Sequence, residues 1–188
     1  MEIRYAVHPG DFASYDTERI RKEFLIQDLF KPGKVNMVYS HNDRIIAGGL
    51  TTVKPVILEA GSELKADYFL QRREMGIINI GGKGMMTVDG IKYSLDNRDG
   101  LYIGMGSREI EFSGADSGNP ARFYFNSATA HCRYPTQKIA ISKVEAAHLG
   151  SLSESNKRAI YKYIHPEGVN SCQLVMGMTI LEPGNVWN

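Results

Sequence analysis

The side chains able to do chemistry are spread thinly along this chain. Five histidines stand at His8, His41, His131, His148 and His165. No two lie two or four residues apart, the spacings that put side chains on one face of a strand or a helix. A metal held by imidazoles would therefore need distant segments to meet, so each histidine reads as a surface or hydrogen-bonding group. His41, in Ser40-His41-Asn42-Asp43, reads as a turn residue rather than a catalytic one. The carboxylates Asp67, Glu74 and Glu109 could take a hard cation, but nothing in their spacing makes them converge. Glu74 follows Arg72-Arg73, which points to an ion pair. Cys132 and Cys172 belong to no CxxC pair and are expected to be reduced thiols, each a small buried residue.

Two segments near the end could bind a sugar acid. Alternation along 158–163 puts Arg158, Ile160 and Lys162 on one face. Along 172–181, Cys172, Leu174, Met176, Met178 and Ile180 form an apolar face, and Gln173 and Thr179 fall on a mixed one. Arg158, Lys162, Gln173 and Thr179 are the candidate substrate-binding residues. An arginine fork suits a carboxylate because it binds both oxygens at once. The alternative for this face is plain solvent exposure. No acid–base residue is identified. GxSxG, P-loop and HExxH motifs are absent. Gly81-Gly82-Lys83-Gly84 precedes a hairpin rather than a helix, so it is no phosphate cradle. Phe123-Tyr124-Phe125 reads as core.

The elements that must position these residues are mostly strands. The spacing predicts one helix after Asp16 or Thr17, with Ile20 and Phe24 on one face and Pro32-Gly33 closing the segment. Strands are expected at 35–40, 44–51, 56–60, 67–71, 75–80, 85–88, 91–95, 101–103, 109–113 and 121–126. Asp89-Gly90 between two alternating runs predicts a tight hairpin. Ser142-x-x-Glu145 suggests a capping box for a short helical turn. Two more strands, 158–164 and 172–181, follow. The pattern predicts an all-β barrel or sandwich. It divides into an N-terminal helical segment (1–33), a barrel (34–127), a connector (128–156) and a second strand group (157–188).

Composition excludes several classes. A formal net charge of +1 gives no electrostatic reason for a nucleic acid or an anionic membrane partner. The basic run Arg19, Arg21, Lys22 is interrupted by Glu18 and Glu23 and reads as a solvated helix face. No apolar stretch approaches the ~20 residues needed to span a bilayer. With two cysteines and no signal-peptide pattern at Met1-Glu2-Ile3-Arg4, a cytoplasmic location is expected.

Gly61, Asp67, Phe69, Glu74 and Gly81 follow the spacing of the first cupin motif, in which two histidines occupy the places of Asp67 and Phe69. Glu109 takes the place of the third histidine. Residues 34–127 therefore resemble a cupin-type (RmlC-like) jelly roll that keeps the barrel and lacks the metal ligands. Longer strings carry a closer resemblance. They include Tyr68-Phe69-Leu70-x-Arg72-Arg73-Glu74-x-Gly76, Ala130-His131-x-x-Tyr134-Pro135-Thr136 and Cys172-Gln173-Leu174-x-Met176-Gly177. So do Met37-Val38-Tyr39-Ser40-His41 and Pro183-Gly184-Asn185-x-Trp187-Asn188. Together they resemble the 5-keto-4-deoxyuronate isomerase family along the whole chain.

That resemblance implies two cupin barrels per subunit, a hexameric homo-oligomer and a small uronic-acid substrate from pectin breakdown. The reaction implied is a ketol isomerisation of 5-dehydro-4-deoxy-D-glucuronate to 3-deoxy-D-glycero-2,5-hexodiulosonate through a metal-stabilised enediol. The family's zinc, held by three His and one Glu of the second barrel, has no matching positions here. No metal is expected to bind within these residues, and a chain ending at Asn188 is expected to be inactive alone. The alternative is a metal-free cupin acting as an oligomerisation or sugar-binding module.

Overall fold

The computed structural model describes residues 1–187. Its elements run β1 (Glu2–Arg4), α1 (Pro9–Phe12), α2 (Thr17–Phe24), β2 (Asn36–Ser40), β3 (Ile46–Thr52), β4 (Val56–Ile57), β5 (Arg73–Asn79), β6 (Gly84–Val88) and β7 (Ile91–Leu95). After these come β8 (Gly100–Ile103), β9 (Ile110–Gly114), β10 (Ala121–Thr129), β11 (Gln137–Ile139), β12 (Ala146–Leu149), β13 (Arg158–Ile164) and β14 (Met176–Leu181). Among the described residues, helical structure is confined to α1, α2 and two 3-10 turns at Ser62–Leu64 and Ile141–Lys143.

Local chemistry explains several of these boundaries. Asp16 caps α2, its Oδ1 accepting from the Arg19 amide at 2.8 Å. Phe24 at the end of that helix meets Phe12 edge-on, 5.6 Å between centroids. The β6–β7 hairpin turns on Asp89 and Gly90, with φ of 48° and 82°. Val88 pairs with Ile91 across it, the two-residue loop that such a turn requires. The Asp89 carboxylate also accepts from the amides of Arg108 and Glu109, tying the hairpin tip to the start of β9.

Two facing sheets make the jelly-roll barrel, and among the described residues they are not hydrogen-bonded into a closed one. A seven-stranded sheet has the order β1-β2-β3-β10-β5-β8-β11, and a four-stranded sheet the order β4-β9-β6-β7. Ile46, Leu50, Met75, Ile77, Leu101, Phe123 and Phe125 of the first face Met86, Leu95, Ile110 and Phe112 of the second, all almost fully buried. The Phe112 ring sits 5.4 Å from Phe123 and 6.1 Å from Phe125. Burying such side chains contributes roughly 1.5–3 kcal/mol each. This is the all-β arrangement that the alternating pattern predicts, and the cupin type that the motif spacing resembles.

A third sheet, β12-β13-β14, lies against the outside of the first barrel. Ile78 and Tyr102 on the outer face of the large sheet pack with Tyr163, Ile164, Leu174 and Met176. Every residue of β5 is consequently buried, because both its faces are covered. Gly76 permits the close approach: a Cβ there would run into Ile164, Met176 and Leu174.

Several expected elements differ. Residues 67–71 form turns rather than a strand, with Phe69 and Leu70 both buried, which alternation does not allow. The strand expected over 56–60 is only Val56–Ile57. The connector contains two strands, β11 on the edge of the barrel beside β8 and β12 beside β13. The turn at Ile141–Lys143 has no side-chain cap, so Ser142 forms no capping box. The last strand begins at Met176, not Cys172, because the intervening amides are bonded elsewhere.

Gly48 marks a tight point of the core. It faces Phe125 across the β3–β10 pair, and an added Cβ would overlap that ring. Gly48→Ala is expected to destabilise the protein by about 1–3 kcal/mol. Calorimetric melting should show it as a loss of roughly 2–4 °C per kcal/mol. An unchanged melt would mean that the ring has room to move.

Candidate functional site

The chemistry-bearing residues gather where the third sheet meets the barrel. Glu74 lies in the middle of this contact and is wholly buried. Its Oε2 accepts from the Tyr102 hydroxyl at 2.7 Å and the Cys172 amide at 2.8 Å. Its Oε1 accepts from the amides of Gln173 and Leu174, each at 2.8 Å. Burial first, then the hydrogen bond to Glu74, pushes the Tyr102 hydroxyl far above its ordinary pKa, so it remains a donor.

The ion pair expected between Glu74 and its neighbouring arginines is not formed. Successive residues of a strand point to opposite faces. Arg73 therefore turns away, donating to Ser127 Oγ and to the carbonyls of Ser127 and Arg44. Burial lowers its pKa to about 10, which leaves it cationic at neutral pH. Arg72 donates to the carbonyls of Leu64 and Lys65.

The loop that Glu74 holds brings two thiols together. Cys132, just beyond β10, and Cys172, just before β14, have their sulfurs 3.2 Å apart, and both cysteines are free. They are half-buried and face one another, rather than being separate core residues. The hydrogen bond to Cys172, with burial behind it, raises the Cys132 pKa. Tyr134 is raised in turn, chiefly by the charge that Cys132 would carry. His131 stands beside them on an exposed bend. The ligand atoms of His131, Cys132 and Cys172 all lie within 4.8 Å of one another. Sequence spacing gave no sign of this group, because its two halves are 40 residues apart.

The cupin template positions behave differently. Phe69 is buried and packs edge-on against Phe125 at 6.4 Å, filling the barrel where a ligand would stand. Asp67 and Glu109 are exposed. These three positions do not fit a transition metal, which wants converging imidazole or thiolate donors.

The four sugar-acid candidates are placed unevenly. Arg158, Lys162 and Thr179 share one face of the third sheet, where Ile160 pairs with Thr179. Arg158 lies over the Trp187 ring at 4.8 Å and donates to the Asn156 carbonyl. Among the described residues its buried Nε has no hydrogen-bond partner. Lys162 pairs with Glu167 at 3.3 Å and lines a groove of about 640 Å³ between β13 and the connector. Gln173 lies apart. It accepts from Thr129 at 3.3 Å and lines a cleft of about 610 Å³ with His41 and Arg44. His41 is stacked on Tyr5 at 4.7 Å and crossed by Tyr39.

Facing sheets around one apolar core and an outer third sheet define a protein of the cupin fold. The solved structure of an IolB-like protein from Salmonella typhimurium LT2 shares this fold, with a TM-score of 0.51 at 12% identity over 68% of this chain and 46% of that one. The chain belongs to the KduI/IolB family, whose model matches residues 24–188. It is 61% identical to the 4-deoxy-L-threo-5-hexosulose-uronate ketol-isomerase of Caldicellulosiruptor bescii, over all of this chain and 68% of that protein. It is 57% identical to the protein of the same name from Halalkalibacterium halodurans, with the same coverage. The family is thus one of uronate ketol-isomerases. Among the described residues no helix is long and apolar enough to cross a membrane.

Replacing Glu74 tests the centre of this contact. Glu74→Gln keeps the volume but sets an NH2 group against backbone donors. A loss of about 2–5 kcal/mol is expected, since buried donors are left without an acceptor. Urea unfolding monitored by circular dichroism measures it, and a midpoint equal to that of the wild type would show that the four bonds carry no net stability.

Proposed function

We propose that this chain serves the isomerisation of 5-dehydro-4-deoxy-D-glucuronate to 3-deoxy-D-glycero-2,5-hexodiulosonate in uronate and pectin breakdown. The observation that carries this reading is the 61% identity along the whole chain to a relative named for that ketol-isomerase activity. The reaction moves a proton between adjacent carbons through an enediol. The aldehyde carbon is reduced as its neighbour is oxidised, so no external redox partner is needed.

The proposed substrate wall is Arg158, Lys162 and Thr179 on one sheet face, while Gln173, the fourth candidate, lines a separate cleft. Arg158 supports it best, because among the described residues its buried Nε has a proton and no acceptor. A substrate carboxylate would supply that acceptor. The resemblance adds zinc to stabilise the enediolate. Positions 67, 69 and 109 do not fit it, so the residues named here bind and orient the sugar.

A cytoplasmic location, where both thiols stay reduced, belongs to the same proposal. So does a homo-oligomer, a hexamer by the resemblance. Tyr5, Phe12, Leu152 and Trp187 are large apolar side chains left exposed, and neighbouring copies would cover them.

Calorimetric titration with the uronate tests this reading. Saturable binding is expected, weakened about 10- to 100-fold in Arg158→Ala, the effect of removing one charged hydrogen-bonding group. Arg158→Lys should recover little, because an ammonium lacks the planar fork. Absence of saturable binding by the wild-type chain would sink the proposal. Equal affinity in Arg158→Ala would remove Arg158 from the wall.

A further inference from the structure

Three side chains that the proposed reaction does not use meet at one point, where the end of β10 faces the loop before β14. We infer that His131, Cys132 and Cys172 bind one soft divalent transition-metal ion of the zinc class, leaving a fourth coordination position open to solvent.

Geometry is the first support. Zinc binds thiolate at ~2.3 Å and imidazole at ~2.0–2.1 Å, so two sulfurs on a tetrahedral ion stand ~3.8 Å apart. The two sulfurs here are 3.2 Å apart, and all three ligand atoms fall within 4.8 Å. Small side-chain rotations bring them to ligand distances. The separation also exceeds the ~2.05 Å of a disulfide, and both cysteines are free. His131 and Cys132 are sequence neighbours, which a regular strand would point in opposite directions. They lie on a bend, which allows both to face Cys172.

The surroundings are the second support. Cys172 Sγ accepts from the Cys132 amide at 3.4 Å and donates to the Cys132 carbonyl at 3.2 Å, so two contacts fix the sulfur in place. The Cys172 amide is fixed by Glu74 at 2.8 Å, so its backbone is already in place before any ion arrives. Donor chemistry selects the metal class, because two thiolates and an imidazole are soft or borderline ligands that suit zinc and not calcium or magnesium. His131 is exposed, so an ion can enter and its fourth position can take water. Binding forms two metal–sulfur bonds and one metal–nitrogen bond to neutral His131, and releases the two thiol protons to solvent, with no change of oxidation state.

An ion here would join the strand end of the barrel to the loop of the third sheet. It should therefore stabilise the fold in proportion to its occupancy. It uses none of positions 67, 69 and 109.

The test uses the 188-residue chain, stripped by a chelator, kept reduced with a phosphine and titrated with zinc against a chromophoric competitor. One equivalent should bind, and the melting temperature should rise. Cys132→Ser and Cys172→Ser should each abolish competitive binding. His131→Ala should weaken it by at least the ~10- to 100-fold that losing a supporting hydrogen bond causes. Circular dichroism checks that each variant folds. If a serine variant does not fold, alkylation of the wild-type chain read by intact mass decides the matter: zinc should protect both thiols together. The inference is overturned by no zinc uptake with reduced thiols, by full affinity in both serine variants, or by a disulfide that forms equally fast with zinc present.

Discussion

Glu74 is buried without any exposed surface, and four donors converge on its two oxygens. Three of these are backbone amides from residues 172–174, about a hundred positions away in the sequence. No cation is among them. A carboxylate in such a place is tolerable only because its charge is spread over charge-assisted hydrogen bonds, each worth roughly 1.5–3 kcal/mol against an unmade one. The amides gain as much, since they precede β14 and have no strand partner of their own. The joint between barrel and third sheet rests on this exchange, and the apolar packing of Ile78, Tyr102, Tyr163 and Ile164 closes around it.

The same bonds account for the shape of β5. A strand with one face in a core and one in water alternates, as β6 does. β5 is buried throughout, because Met75 and Ile77 face the barrel interior while Glu74, Gly76 and Ile78 face the third sheet. Gly76 could be no larger, and Glu74 is the polar residue on that outer face that meets the incoming backbone. Charge on this strand is thereby separated: Arg73 is satisfied by carbonyls on one side and Glu74 by amides on the other.

What was legible in the sequence was local. Asp89-Gly90 specified its hairpin because two positive φ angles are a property of two residues. Asp16 specified a helix start because its side chain reaches an amide three residues on. The all-β class followed from alternation repeated along the chain. What failed was non-local. β11 and β12 are three and four residues long and exist because an edge was free to pair, which leaves little pattern behind. Adjacency suggested that Glu74 pairs with Arg73, yet the pleat forbids it. The meeting of Cys132 with Cys172 depends on the Glu74 contact, and no spacing rule contains it. The face proposed for the sugar acid was legible only as far as its strands. Register puts Arg158, Lys162 and Thr179 together, whereas Gln173 lies outside the strand.

The thiol pair and the outward turn of Gln173 are therefore one structural consequence. The amides of 172–174 are committed to Glu74, so β14 cannot begin before Met176. The freed turn sets Cys172 against the bend that follows β10, and it turns Gln173 outward to Thr129. Had the strand continued back to Cys172, alternation would have placed that thiol on the apolar face with Leu174 and Met176. The buried carboxylate thus converts what reads as a core position into an accessible one. A thiol pair beside an exposed imidazole follows from how the barrel holds its neighbouring sheet.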